Sequence, residues 1–283
     1  MPRIAIIGTD TMVHDHVTEG DFDENSYVGL VDKIELISIN IDVILTFEPE
    51  IIILLNPQFI SLQLLSRIKV LDCNFIGYIS KPKKPAYQLR KNHFQSLSAY
   101  SWIEKWATNS HALHSLLKNK INIVSVMPLP VNDALFISPD SLPEKFEKIT
   151  FCIEQQSLNR VNGALFLTEQ IKKNQTKYLQ NNEGPFSIGS IYINMSDNCD
   201  IDPGGSVINH MARGFLVMSS VIYPEYGLLP ETEFFRINNK KEILSRIIYI
   251  LENQELAAWI QRRGSLMSQR YRASILWDRL VSI

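Results

Sequence analysis

The chain has 283 residues, with 28 basic and 30 acidic side chains, 45% hydrophobic and 20% charged residues. That length suits about two ordinary domains, and a near-neutral balance with pI of about 6.3 argues against a dedicated nucleic-acid binder, which would carry a strongly basic face. No apolar run approaches the ~20 residues of a bilayer span, the start lacks the features of a signal peptide, and Cys73, Cys152 and Cys199 form no C-x-x-C pair. The expectation is a soluble, cytoplasmic α/β protein.

Arg3–Ile7 is a short apolar run stopped by Gly8, the pattern of a strand buried on both faces of a parallel sheet. His14–Asn25 is acidic and poor in apolar residues, and reads as a loop or a short helix. Ile34–Ile41 and Val43–Thr46 are apolar and β-branched, which favours strand with helix as the alternative. Glu50–Leu55 predicts a second buried strand, stopped by Asn56-Pro57, followed by a helix over Ser61–Arg67 and a strand over Asn74–Ile79. The two prolines of Lys81–Pro85 predict a loop. From Gln88 to Trp106 apolar residues recur at three and four, which predicts a helix; Ser110 is then a good N-cap for a further helix, His111–Lys118. Asn122–Met127 is a strand ended by Pro128-Leu-Pro130. This alternation predicts an open parallel sheet with helices on both faces.

The polar, proline-marked stretch Ser138–Pro143 is the best domain boundary in the sequence. Beyond it the pattern resumes: strand Lys148–Glu154, helix Asn159–Lys173, strand Ser190–Asn194, helix Gly205–Ala212, and strands Phe215–Ser219 and Thr232–Ile237. The end is helical, over Lys240–Glu252, Glu255–Tyr271 and Ser274–Val281. The expected organisation is a first domain over 1–138, a second over 145–272, and a terminal helix over 273–283 that packs back on the first.

Two segments carry chemistry. Trp106–Leu117 followed by Ile123–Val131 is a strand end, a capped helix, a strand and a Pro-x-Pro exit, which on its own is also an ordinary βαβ closing a sheet. Ser190–Asp197, the turn Asp200–Ser206 and the helix from Val207 to Gly214 bring a strand through a glycine pair into a helix. Such a turn presents unpaired N–H groups and the positive end of a helix dipole, which suits a phosphate, though many α/β turns share the pattern.

In this order, the two segments resemble the GT-B glycosyltransferases. The Thr108-Asn-Ser110 helix and the Pro128–Val131 exit are similar to the last βαβ of that family's first domain. Asn209-His-Met-Ala-Arg-Gly-Phe-Leu-Val-Met-Ser219 resembles the family segment Glu-Ala-Met-Ala-x-Gly-x-Pro-Val, and Pro224-Glu225, the Glu242 helix and the Tyr271–Trp277 tail match in position. The resemblance implies two Rossmann-like domains facing across a cleft, here with a shortened second domain: an acceptor-side domain first and a donor-side domain after it. It also implies a nucleotide-sugar donor, UDP- or GDP-linked, and a carbohydrate or glycoconjugate acceptor.

The departures are specific. Retaining members carry Glu-x7-Glu, whose second Glu holds the donor ribose; here Asn209 stands there, and Ile201, between Asp200 and Asp202, stands at the first. Asn still bonds a hydroxyl but brings no charge. The usual Gly-Arg after the first strand of the second domain is absent, since that strand runs Phe151-Cys-Ile-Glu154, and a βαβ unit before Ser190 is missing. The resemblance places the donor on Arg160, Ser196, Asp197, Gly204, Gly205, Ser206 and Asn209, with Lys172 a second candidate cation. Gly8 and Thr9 lie on the acceptor side, and Asp10, His14 and His16, with Asp15, are candidate bases. The scheme requires neither metal nor cofactor; His111 and His114 share a helix face but have no further ligands clustered with them.

G-x-G-x-x-G, the P-loop motif and G-x-S-x-G are all absent, which removes the main support for dinucleotide, NTPase and hydrolase readings. Lys81, Lys83, Lys84, Arg262 and Arg263 read as solvated surface, with attraction to anionic lipid as the alternative. Tyr223, Tyr226 and Trp259 read as core or cleft lining rather than a sugar platform. Three functions stay open: an active transferase, a non-catalytic GT-B-like protein that binds a sugar nucleotide or a partner transferase, and an unrelated two-domain binding protein.

Overall fold

A computed structural model of the chain describes residues 2–8, 27–30, 33–38, 40–60, 62–80, 96–128, 130–144, 151–153, 191–194, 203–220 and 226–283. They divide into two units, Met1–Asp133 with Tyr271–Ile283, and Ala134–Arg270. The expected loop or helix at His14–Asn25, the Lys81–Pro85 loop and the Asn159–Lys173 helix lie outside the described residues.

The first unit is built on β1 (Ile4–Gly8), β2 (Tyr27–Leu30), β3 (Lys33–Ser38), β4 (Ile51–Leu55), β5 (Asn74–Ile79), β6 (Lys105–Thr108) and β7 (Ile123–Val126). These form one sheet in the order β3-β2-β1-β4-β5-β6-β7. Strands β1 and β4 to β7 run parallel, while β2 pairs antiparallel with both β1 and β3. The sheet is therefore mixed, and β2 is a strand that the apolar runs did not predict. Both β1 and β4 are buried along their whole length, as their uninterrupted apolar sequences require.

Val43–Thr46 is not a strand: it lies within helix α1 (Ile41–Phe47). Asn40 caps this helix by accepting from the Asp42 N–H at 2.9 Å, and only one side is buried, at Ile41 and Ile44, with Leu45 half exposed. One-sided burial at a spacing of three outweighs the strand preference of β-branched residues. The expected helix up to Trp106 is also corrected. Its described part is a 3-10 turn at Ser96–Tyr100 and then strand β6. Trp106 lies over Gly77 of the neighbouring β5, where a Cβ would overlap the indole, so the bulky residue needs glycine as its cross-strand partner.

Helix α1, helix α2 (Leu62–Ile68) and helix α3 (His111–Leu117) bury Ile44, Leu65, Ile68, Leu113 and Leu117 with Ala5, Ile7, Ile52, Leu54 and Trp106 in one cluster on one face of the sheet. Tyr78 occupies the alternate position of β5 and points to the other face. There its ring meets Trp277 edge-on at 5.8 Å, and its hydroxyl donates to the Met127 carbonyl at 2.7 Å. Trp277 belongs to the terminal helix, Ala273–Val281, which buries Ala273, Leu276, Trp277 and Leu280.

In the second unit β8 (Phe151–Ile153), β9 (Ile191–Asn194), β10 (Leu216–Ser219) and β11 (Phe235–Arg236) form a parallel sheet ordered β11-β10-β9-β8. Helix α4 (Pro203–Ala212) connects β9 to β10, and α5 (Lys240–Glu252) and α6 (Gln254–Ser268) follow β11. Ile191, Ile193, Leu216 and Met218 of the sheet pack with Ile243, Ile247, Ala257 and Ile260 of α5 and α6. The stretch Ser138–Pro143 lies within this unit, where Ile137 and Leu142 crowd Gly214. Gly214 ends α4 at φ +76°, so this position suits glycine both by conformation and by space.

Candidate functional site

In a parallel sheet, ligands bind beyond the carboxyl ends of the strands, where connecting loops and helix N-termini converge. At that edge of the second unit β9 ends at Asn194 and β10 at Ser219, which lie in register and are both buried. The Ser220 N–H donates to the Asn194 carbonyl at 3.1 Å, and the Ile237 N–H to the Ser219 carbonyl at 3.1 Å, which ties three strand ends together. The Asn194 side chain is 1% exposed, yet among the described residues neither its amide nitrogen nor its amide oxygen has a hydrogen-bond partner. A buried amide with both ends unsatisfied costs stability.

Helix α4 begins at the same edge, because it follows β9 and precedes β10. Pro203 occupies its first position, where a missing N–H costs nothing, and Gly204, Gly205 and Ser206 complete the first turn. Its leading N–H groups have no acceptors within the helix and favour an anion. Asn209 stands one turn beyond Gly205 on the same face and is half-buried. The next residue, His210, stacks flat on Tyr192 of β9 with ring centroids 3.5 Å apart, and meets Phe215 edge-on at 5.1 Å. Those contacts fix the rotation of α4 about its axis, and with it the direction of Asn209. Arg160, Ser196 and Asp197 lie outside the described residues.

At the carboxyl edge of the first unit, β1 ends at Gly8, which abuts Leu55 of β4: a Cβ on Gly8 would lie 2.7 Å from the Leu55 Cβ. The sheet extends to either side of this pair, through β2 and β3 in one direction and β4 to β7 in the other. It is therefore the switch point of the topology, the place where such sheets open a crevice. Asn56, Ser80, Thr108, Asn109 and Ser110 line the adjoining strand ends and are all buried. Ser110 caps α3 by accepting from the Leu113 N–H at 3.2 Å, and the Thr108 hydroxyl has no hydrogen-bond partner among the described residues. Thr9, Asp10, His14, Asp15 and His16 lie outside the described residues.

Asn56, Ser80, Asn194 and Ser219 are edge residues that the sequence reading missed. Each is a small polar residue that closes or follows an apolar run, a signal visible only when strand ends are compared with one another. His111 and His114 both lie on α3, and no group of three or more His, Cys, Asp or Glu gathers among the described residues. A depression of about 320 Å³ lies at the opposite, amino edge of the first sheet, between Arg3, Leu45, Glu48, Asp72 and Cys73. Burial, and then the Asp72 carboxylate, push the Cys73 thiol up from 9.0 to about 11, so it is a poor nucleophile near neutral pH.

No family model and no curated protein matches the sequence. Solved structures do match the fold. TarM of S. aureus is 13% identical with a TM-score of 0.50, over 91% of this chain and 61% of TarM. Sucrose-phosphate synthase from Thermosynechococcus elongatus is 11% identical with a TM-score of 0.51, over 85% and 75% of the two chains. Anabaena HepE in complex with UDP is 11% identical with a TM-score of 0.52, over 86% and 82%. The chain is thus similar to these proteins while spanning less than two thirds of the length of TarM. Its fold is that of the GT-B glycosyltransferases, in a shorter form than the structures it matches.

Proposed function

We propose that the chain is a glycosyltransferase of the hexosyltransferase type, acting in the cytoplasm. It takes a sugar from a UDP- or GDP-linked donor to a carbohydrate or glycoconjugate acceptor, with surface polysaccharide or glycoconjugate synthesis as its setting. The observation that carries the reading is the carboxyl edge of the second unit, where α4 opens on Gly204-Gly205 at the same edge as Asn194. The likeness to HepE, whose structures hold UDP and UDP-glucose, supports a nucleotide-sugar donor.

In this reading the donor diphosphate lies over the first turn of α4, whose N–H groups and dipole offset the charge that develops as the nucleoside diphosphate departs. Arg160, Ser196 and Asp197 complete the donor site, and Asn209 bonds a ribose hydroxyl. The acceptor lies by Gly8 and Thr9; its hydroxyl attacks the anomeric carbon as the bond to the diphosphate breaks. In an inverting reaction its proton passes to a base among Asp10, His14 and His16. The acceptor's place on a membrane surface belongs to the same reading.

A thermal-shift panel of UDP-, GDP- and dTDP-sugars tests it. One of them should raise the melting midpoint of the wild-type chain, and neither Asn209→Ala nor Gly205→Trp should respond. A response that survives both substitutions places the donor elsewhere, and no response to any sugar nucleotide counts against the function. Asn209, standing where retaining enzymes carry Glu, favours a second reading: a non-catalytic protein that binds a sugar nucleotide or a partner transferase. Donor binding with neither hydrolysis nor transfer would select it.

A further inference from the structure

The solvent-facing side of α6 is apolar where a surface helix is ordinarily polar. Leu256, Trp259 and Leu266 are 40%, 47% and 51% exposed, while Ala257, Ala258, Ile260, Gln261, Gly264, Ser265 and Ser268 on the opposite side are buried. At 100° per residue Trp259 and Leu266 fall on one line along the helix, with Arg262 on one flank and Arg263 on the other. Both arginines are half-exposed. Arg262 has no ion-pair partner among the described residues, and Arg263 reaches the buried Glu233 carboxylate only at 3.7 Å, its side chain still 41% exposed. Arg270, exposed just past the helix, adds a third positive charge; its guanidinium donates to the Tyr226 carbonyl at 2.6 Å, which holds it in place. Glu255, the acid on this side, sits in the first turn.

We propose that this face of α6 is a docking surface for an anionic lipid bilayer. The proposal deepens the transferase reading above, and rests on it only for placing the acceptor at a membrane. Two observations favour a bilayer. The whole chain carries a net charge of −2, so the arginine strip is a local concentration of charge and not a reflection of overall basicity. An indole and two leucines exposed on one side of a helix, flanked by arginines, match the boundary between headgroups and acyl chains. From Leu256 to Leu266 the apolar strip runs about 15 Å along the helix axis.

The test is co-sedimentation of the intact chain with phosphatidylcholine vesicles, either pure or containing about one third phosphatidylglycerol. The protein should sediment with the anionic vesicles and not with the neutral ones, and release as salt is raised. Arg262→Glu should weaken partitioning at least about fivefold, since one basic residue near such a surface contributes about that factor. Leu266→Glu should weaken it further, and both variants should keep a melting midpoint close to that of wild type because neither side chain is buried. Trp259→Phe guards against a merely structural effect: it should still sediment, while the blue shift of tryptophan emission expected with wild type disappears. Failure to sediment with anionic vesicles at low salt overturns the proposal, as does sedimentation indifferent to Arg262→Glu and Leu266→Glu. Neither result touches the donor site, which the sugar-nucleotide panel probes without vesicles.

Discussion

Asn56 grips Ser80 at both of its polar groups: its amide nitrogen donates to the Ser80 hydroxyl at 2.7 Å, and its amide oxygen accepts from the Ser80 N–H at 2.9 Å. Both residues are 1% exposed, and Asn56 lies in the left-handed region at φ 46°. The pair bridges the ends of two adjacent parallel strands, β4 and β5, at the same edge of the sheet as Gly8. Asn56→Gly keeps the backbone conformation and loses both bonds, leaving the buried Ser80 N–H unsatisfied, at a cost of about 2–3 kcal/mol. Asn56→Ala adds the left-handed penalty of a Cβ, about 1 kcal/mol more. Urea denaturation of the two variants should rank them in that order; equal stability would mean that the backbone is not held left-handed.

Gly77→Ala should lower stability by about 1–3 kcal/mol, because its methyl enters the space that the Trp106 ring occupies. Gly77→Ala combined with Trp106→Leu should cost less than the sum of the two single changes, since the smaller side chain leaves room for the methyl. Additivity in a urea double-mutant cycle would show that the two positions do not compete for space.

Asp133 anchors the terminal helix. Its carboxylate accepts from the Ser274 N–H at 3.1 Å and from the Ser274 hydroxyl at 2.5 Å, and lies 3.6 Å from Arg272. Asp133→Ala removes an N-terminal cap supplied from a distant part of the chain and should cost about 1–2 kcal/mol. The loss should appear as faster hydrogen exchange over Ala273–Val281, with β1 and β4 unaffected. Uniform acceleration across the first unit would show that helix and sheet open as one.

Cys73 should resist alkylation near neutral pH and react progressively faster as pH rises toward 11. The sign for stability follows from the same shift. The folded chain holds this proton up to about 11, whereas the unfolded chain releases it near 9.0, so the contribution is complete below 9.0 and is lost as pH climbs between the two. Cys73→Ala should flatten that part of the stability profile; an unchanged slope would assign it to other groups.

Asn194→Leu should leave the ligand-free protein as stable as wild type or up to about 1 kcal/mol more stable, because the amide has no hydrogen bond to lose. The same variant should blunt any response to a sugar nucleotide. A large loss of stability without ligand would show that Asn194 supports the strand end instead.

Long apolar runs carried much of the fold in the sequence. Ile51–Leu55 and Ile4–Gly8 admit few conformations other than buried parallel strands, and the Ser110 cap and the Asn56-Pro57 stop were visible as local chemistry. The helix that begins near Gly204-Gly205 was legible too, since a glycine pair between an apolar run and a helical pattern signals such a turn. Trp106 and Ile44 were misread because each depends on a distant partner. The spacing around Trp106 suits a helix until Gly77 makes room for it in a strand, and Val43–Thr46 suits a strand until burial of a single side selects the helix.

A chain of 283 residues at near-neutral charge has room for two α/β domains, and that alone does not specify what they do. Sequence alone determined the class of fold and the helix that begins near Gly204-Gly205, because periodicity and turn chemistry act over a few residues. Tertiary structure decided the strand order, the capture of Ser274 by Asp133 and the isolation of Asn194. It also decided the exposure of Trp259. Each of these depends on residues brought together from far apart in the chain, and a local pattern carries no information about such neighbours.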